Sequence, residues 1–139
     1  MTKLDYIGIT TADMGKALAF YRLLGLEFPE GAESEVHAEA TLESGLRVGF
    51  DSVDMARSVD PDWTAASGSP RISLAFRCAS PAEVDAKYAE LVGQGHEGGR
   101  EPWDAEWGHR YATLLDPDGN GVDLYADLPD KPTEPPPAA

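Results

Sequence analysis

Apolar and polar residues alternate in two similar halves of the sequence, and each half also contains one helical repeat of apolar residues. In the first half, a strand pattern over 4–10 precedes an apolar stripe at helical spacing. Asp13 is suited to cap this helix and Gly25 to end it. Further strand patterns follow at 26–28, 35–43 and 46–50. The first half therefore predicts the order β-α-β-β-β.

The second half repeats this order. A strand pattern over 71–78 leads into Ser80-Pro81-Ala82-Glu83, a capping box with proline at the first helical position. Gly93 and Gly95 are suited to end the helix. Later strand patterns lie at 96–99, where glycines weaken it, at 109–115 and at 122–127, and the turn 116–121 joins the last two as a hairpin.

A shift of 67 residues superposes the two halves, placing Asp13 on Ser80 and Tyr21 on Tyr88. This repeat predicts an α+β fold of two βαβββ modules, about 3–51 and 70–128, within a single domain. Helices would cover the outer faces of the sheets, leaving the opposite faces to form a concave surface. The connector 52–69 should contain at most one helical turn, and the proline-rich tail, 129–139, should be disordered.

Composition narrows the possible partners. The net charge of −14 argues against binding to nucleic acid; it either attracts a cationic ligand or keeps the protein in solution. No apolar run reaches the roughly 20 residues needed to span a bilayer, and the N-terminal MTKLDY lacks the pattern of a signal peptide. With a single cysteine, Cys78, the chain has no intramolecular disulfide. These features predict a cytoplasmic protein with no membrane partner.

Aromatic side chains are concentrated just before the closing hairpin. Trp103, Trp107, His109 and Tyr111 fall within nine positions, and alternation puts His109 and Tyr111 on one strand face. An aromatic wall near carboxylates suits a planar or cationic organic ligand. The alternative is that the indoles close the core or a subunit interface.

Two polar residues in the first half provide a second candidate site. His37 and Glu39 lie two residues apart on one strand and therefore share a face. They could form a general acid–base pair, or join His109 or Asp123 in a metal site. The alternative is a polar lining whose hydrogen bonds are satisfied.

Two segments resemble one known family. FYRLLGLEF at 20–28 and WGHRYATLLDPDGNGVDLY at 107–125, in this order within a repeated module, resemble the vicinal oxygen chelate superfamily, which includes glyoxalases, bleomycin-resistance proteins and extradiol dioxygenases. The resemblance implies paired βαβββ modules, each a cupped half-barrel sheet. It also implies a homodimer with a ligand cavity.

The metal ligands that the resemblance implies are largely missing. The enzymes of this family bind a divalent metal through a His in the first strand of a module and a Glu in the last. Here the first-strand positions hold Tyr6 and Ser73, and the last-strand positions hold Phe50 or Asp51 and Asp123. Carboxylates without imidazole make a poor transition-metal site. We therefore expect no metal or other cofactor, with a divalent metal as the alternative.

These observations favour a metal-free binding protein similar to the drug-sequestering members of the family. We predict a non-catalytic homodimer that binds a small aromatic or cationic molecule, such as an antibiotic. The predicted ligand-binding residues are Tyr6, His37, Glu39, Phe50, Trp103, Trp107, His109, Tyr111 and Asp123. The alternatives are a lyase, isomerase or dioxygenase-like enzyme with a displaced metal or an acid–base pair, and a module that binds a protein partner.

Overall fold

The computed structural model describes residues 1–130 and consists of two compact units. The first unit is Met1–Gly68 and the second begins at Ser69. Each has its own open sheet with helices, which confirms the predicted α+β fold. All of the predicted tail except 129–130 lies outside the described residues. No helix within 1–130 is long and apolar enough to cross a membrane.

In the first unit a three-stranded sheet is built around its last strand. The elements in chain order are β1 (Tyr6–Thr11), α1 (Met14–Leu23), a short 3₁₀ helix (Ala32–Ser34), β2 (His37–Thr41), β3 (Arg47–Ser52) and α2 (Val53–Val59). Strand β3 lies between β1, to which it is parallel, and β2, to which it is antiparallel. Strands β1 and β2 are therefore the edges of this sheet.

The second unit has four strands arranged in the same way. Its elements are β4 (Ser73–Arg77), α3 (Pro81–Gly93), β5 (Trp103–Asp104), β6 (His109–Leu115) and β7 (Gly121–Asp127). The strand order is β4-β7-β6-β5, and the last strand is again internal, parallel to β4 and antiparallel to β6. In both units the final strand is thus bonded on both sides.

Both long helices begin and end as their sequences predict. Asp13 caps α1 and Ser80 caps α3, each accepting a hydrogen bond from the backbone N–H three residues further on, at 3.1 and 3.2 Å. Gly25 and Gly95 end them with φ of 94° and 95°, values that glycine adopts without strain. Gly93, the other predicted end of α3, lies in the last turn of that helix.

Alternation along the strands separates an apolar face from a polar one. In the second unit Val122 and Leu124 of β7 are fully buried, on the opposite side of the strand from Asp123 and Tyr125. In the first unit Phe50 of β3 is fully buried on the apolar side. The polar and charged side chains of the two sheets therefore lie on the faces opposite these buried residues.

Three local predictions were wrong or incomplete. Residues 26–28 form no strand, because the N–H of Leu26 bonds back to the C=O of Tyr21 in the turn that ends α1. The pattern at 96–99 yields only one bridge, between Gly98 and Leu114. The connector holds the seven-residue helix α2, more than the single turn expected, with Ser52 as its cap.

Candidate functional site

The nine predicted site residues divide between the two units. Tyr6, His37, Glu39 and Phe50 belong to the first unit; Trp103, Trp107, His109, Tyr111 and Asp123 belong to the second. Within each unit, strand register and alternation determine which of these side chains share a face.

The polar face of the second sheet carries a row of aromatic rings. Trp103 of β5 lies opposite Tyr111 of β6, and Tyr111 lies opposite Tyr125 of β7. His109 follows on the same face of β6, with its ring centroid 4.9 Å from that of Tyr125. Four of the five predicted residues of this unit therefore lie on one face of the sheet: Trp103, His109, Tyr111 and Asp123.

The two indoles of this surface pack edge to face with each other and with Tyr111. The ring centroids of Trp103 and Trp107 lie 5.6 and 5.7 Å from that of Tyr111, and the two indoles are perpendicular at 6.3 Å. These separations lie in the range in which aromatic pairs attract beyond simple burial. Trp107 Nε1 is buried and has no acceptor within residues 1–130. The rings thus form a preformed, half-buried wall, which we call the aromatic wall: Trp103, Trp107, Tyr111 and Tyr125.

One carboxylate lies beside the aromatic wall. Asp123 lies two residues before Tyr125 on β7. The hydroxyl of Tyr111 donates a hydrogen bond of 2.5 Å to Oδ2 of Asp123. Burial, followed by this hydrogen bond and the charge of Asp123, raises the pKa of Tyr111 well above its usual value. The phenol therefore stays protonated and holds the carboxylate in place.

Two arginine side chains of the protein lie over rings of the aromatic wall. The guanidinium of Arg100 lies 3.7 Å from the ring centroid of Trp103, and that of Arg77 lies 4.8 Å from that of Tyr125. Arg77 also pairs with Asp127 at 3.1 Å, and this hydrogen bond is the main reason that its pKa is raised. These rings therefore accept cations in the protein itself.

The polar face of the first sheet holds a network of charges around His37. Its Nδ1 lies 2.6 Å from Oδ1 of Asp51, directly opposite on β3, and its Nε2 lies 3.0 Å from Oε2 of Glu39. Since a carboxylate only accepts hydrogen bonds, both ring nitrogens must carry protons to make them. The hydrogen bonds to Asp51 and then Glu39 accordingly raise the pKa of His37, and the bond from His37 lowers that of Glu39.

Tyr6 lies across the same face because two glycines leave room for it. A Cβ on Gly49 would meet the Tyr6 hydroxyl at 1.9 Å, and one on Gly8 would meet Cε1 of the ring at 3.1 Å. The guanidinium of Arg47 lies 5.1 Å from the Tyr6 ring centroid and hydrogen-bonds to Glu39 at 3.2 Å. Burial raises the pKa of Tyr6, with added contributions from the carboxylates of Asp51 and Glu39.

Phe50 does not belong with these residues and its assignment to the site is corrected. Register pairs Gly8 with Gly49, so the odd-numbered residues of β3 share the face of Tyr6 and Phe50 lies on the other side. There it is fully buried, with ring centroids 5.1 Å from Tyr21 and 5.6 Å from Phe28. Of the two residues considered at the end of this strand, only Asp51 faces the polar side.

The residues at the expected metal positions do not fit a metal centre. The phenol of Tyr6 and the hydroxyl of Ser73 stand where the metal enzymes have imidazole. One oxygen of Asp123 accepts a hydrogen bond from Tyr111, and Asp51 is hydrogen-bonded to His37. Both nitrogens of His37 lie at hydrogen-bond distance from carboxylates, and a ring that donates to both has no free nitrogen lone pair for a metal. Among residues 1–130 no group of three or more His, Cys, Asp or Glu side chains is placed to hold a metal ion.

Sequence reasoning missed several members of both clusters. Tyr125 shares a strand face with Asp123, so alternation alone could have included it. Arg77 and Arg100 gave no such signal, because strand pairing and the loop before β5 bring them to the rings. Arg47 was missed in the same way in the first unit.

The sequence matches the model of a known protein family. The model of the Glyoxalase/Bleomycin resistance protein/Dioxygenase superfamily matches residues 3–124. No curated protein sequence matches the chain.

Solved structures of the same family share the fold. A glyoxalase/bleomycin resistance protein/dioxygenase family enzyme from Burkholderia phytofirmans PsJN superposes with a TM-score of 0.77 at 20% identity, covering 91% of this chain and 100% of that one. A related protein from Nocardioides gives 0.73 at 21% identity, covering 98% and 91%. The fosfomycin resistance protein FosX from Listeria monocytogenes gives 0.68 at 18% identity, covering 94% and 97%. At these identities the similarity concerns the fold alone.

Proposed function

Because the chain belongs to the glyoxalase, bleomycin resistance protein and dioxygenase superfamily, which is the vicinal oxygen chelate superfamily, we propose that it binds a small aromatic or cationic organic molecule without a metal. The ligand lies on the aromatic wall of the second unit. No chemical step is assigned to this site, and the proposed role is sequestration.

The single observation that carries the proposal is the combination of packed aromatic rings with one carboxylate. Trp103, Trp107 and Tyr111 meet edge to face, and Asp123 is hydrogen-bonded to Tyr111 beside them. A planar cation gains about 0.5–2 kcal/mol from each aromatic face it contacts, and the carboxylate compensates its charge. Binding pockets for small molecules typically combine a mainly apolar wall with a few polar groups of this kind.

The charge of the whole chain favours the same class of ligand. With 25 acidic and 11 basic residues, the net charge of −14 raises the local concentration of cations and repels anions. Arg100 and Arg77 lie over Trp103 and Tyr125, so these rings make cation–π contacts of the kind expected with a ligand cation.

Antibiotics are a reasonable group of candidate ligands. The family name includes bleomycin resistance, and a fosfomycin resistance protein is among the proteins that share the fold. Fold similarity does not identify a ligand, so the antibiotic role has to be tested by a direct binding measurement. Bleomycin, which carries cationic and planar aromatic groups, is the appropriate antibiotic to test.

Tryptophan fluorescence tests the proposal. The chain has three tryptophans, and Trp63→Phe leaves Trp103 and Trp107 as the only reporters. Titration of this variant with proflavine, a planar cation, should quench the fluorescence to saturation. Calorimetry should then give roughly 2- to 30-fold weaker binding for Trp107→Ala, because one ring face is lost.

Two results would contradict the proposal. Either the parent shows no saturable response to proflavine or bleomycin, or Trp107→Ala binds proflavine as tightly as the parent. Trp63→Ala is the matched control, since it removes an indole outside the aromatic wall and should leave the affinity unchanged.

The enzymatic alternative gains less support. His37 and Glu39 line a cleft of about 410 Å³ in the first unit, where a substrate could enter. However, both nitrogens of His37 are engaged by carboxylates, so the imidazole has no free lone pair to act as a base. Turnover that His37→Ala abolishes while binding persists would restore this alternative.

Two further predictions accompany the proposal. We expect a homodimer, so sedimentation equilibrium of the full chain should give twice the mass of one chain. The cytoplasmic location can be measured by fractionation of cells that express it.

A further inference from the structure

Asp123 lies at the centre of the polar face of the second sheet, with one oxygen in use and one available. Oδ2 accepts the hydrogen bond from Tyr111. Oδ1 receives no hydrogen bond and no ion pair within residues 1–130. Strand β7 is hydrogen-bonded on both sides, so the backbone that carries this carboxylate is held firmly.

The two strand partners of Asp123 have small side chains. Its partner on β4 is Ala75, which has only a methyl group, and its partner on β6 is Thr113. The hydroxyl oxygen of Thr113 already accepts a hydrogen bond from the backbone N–H of Arg100 at 2.7 Å. A ligand group can therefore approach Asp123 over a small side chain.

Nearby cations do not neutralise this carboxylate. Arg77 pairs with Asp127 and lies over Tyr125, and Arg100 lies over Trp103. The raised pKa of Tyr111 keeps its phenol neutral, so it offers a hydrogen bond without a positive charge. Neither arginine therefore forms an ion pair with Asp123 beside the aromatic wall.

We propose that Oδ1 of Asp123 accepts a hydrogen bond from an N–H group of a planar aromatic cation whose rings stack on the aromatic wall. The ligand class is a protonated aromatic amine, as distinct from a quaternary ammonium ion. Tyr111 is a positioning residue for the carboxylate and also part of the wall. This inference rests on the proposed function and specifies its ligand.

The hydrogen bond distinguishes the two classes of cation. Both gain from stacking and from the charge of Asp123, but only an N–H donor makes the short, directional bond that a carboxylate favours. Such a charge-assisted bond is worth about 1.5–3 kcal/mol, which corresponds to a preference of about tenfold or more. The carboxylate, which stands where the metal enzymes of the family have a ligand, would here recognise an organic cation.

Calorimetric titration with two dyes of similar shape and equal charge tests the inference. Proflavine has N–H donors, whereas N-methylacridinium has none. The parent should bind proflavine about tenfold or more tightly than N-methylacridinium. Asp123→Asn should bring the ratio of the two affinities close to one, because the amide oxygen is a weaker, uncharged acceptor.

Two other variants separate the hydrogen bond from general effects. Asp85→Asn removes the same charge from α3, where Asp85 pairs with Arg110 at 2.9 Å, and should leave the ratio unchanged. Tyr111→Phe keeps the ring but releases the carboxylate, so the ratio should fall part of the way. It also provides a test if Asp123→Asn does not fold.

The outcomes distinguish the inference from the proposed function. Equal binding of both dyes by the parent, or an unchanged ratio in Asp123→Asn, overturns the inference while the proposed function stands. If neither dye binds, both fail. An equal fall of the ratio in Asp85→Asn would show that the preference comes from overall charge, and this also overturns the inference.

Discussion

Replacing Gly49 by alanine tests whether Tyr6 lies flat across the first sheet. The new Cβ would lie 1.9 Å from the hydroxyl oxygen of Tyr6, 2.4 Å from Cζ and 2.6 Å from Cε2. Ordinary contacts begin at roughly 3.5 Å, so the phenol must retreat by about 1.5 Å or more. This movement lifts the ring from the sheet and disturbs its contact with Arg47.

The expected cost follows from two opposing effects. Forcing an extra carbon into a packed site costs about 1–3 kcal/mol. Replacing glycine by alanine within a strand recovers about 0.5–1 kcal/mol, because the unfolded chain loses conformational freedom. We expect Gly49→Ala to lower the free energy of unfolding by roughly 1–2 kcal/mol.

A double-mutant cycle with Tyr6→Ala isolates the contact. Without the ring, Gly49→Ala should be neutral or stabilising by up to about 1 kcal/mol. Urea unfolding followed by circular dichroism supplies the four free energies. Gly8→Ala is the milder control, because its Cβ would contact the ring at 3.1 Å. An equal cost of Gly49→Ala with and without Tyr6 would refute this placement of the ring.

Three other perturbations test the remaining contacts. Because Asp51 and Glu39 raise the pKa of His37, the stability that it contributes is present below its unfolded pKa of 6.5 and is lost as pH rises through the folded value. His37→Gln should therefore destabilise the protein more at about pH 6 than at about pH 9, measured by urea unfolding, and an equal effect at both would contradict the network. Ser80→Ala removes the cap of α3 and should cost about 1 kcal/mol in the same assay, whereas Ser80→Asp should cost little. Asp116→Ala should cost about 2 kcal/mol or more, since this buried carboxylate accepts three hydrogen bonds in the hairpin turn; a change below about 0.5 kcal/mol would contradict that role.

Local patterns were sufficient to predict the helices and the closing hairpin. The caps at Asp13 and Ser80 and the glycine ends at Gly25 and Gly95 involve residues close in sequence. Alternation along β6 likewise indicated that His109 and Tyr111 would share a face. Such features depend on backbone geometry within a few residues and are therefore readable from the sequence.

Long-range pairing explains what could not be predicted. Phe50 was placed in the site although register with β1 turns it into the core, and in a strand a difference of one residue reverses the face. The hydrogen bond from Tyr111 to Asp123 crosses from β6 to β7 diagonally. The position of Arg100 over Trp103 depends on an irregular loop. None of these follows from the spacing of residues along one segment.

The central position of β7 also bears on how the site can diverge between related proteins. Asp123 lies on an internal strand, where a substitution disturbs two neighbours, while Trp103 lies on the two-residue edge strand β5. Edge strands and loops tolerate insertions and replacements better than internal strands do. Under the proposed function, the carboxylate that compensates the ligand charge should therefore be harder to replace than the indole at the edge.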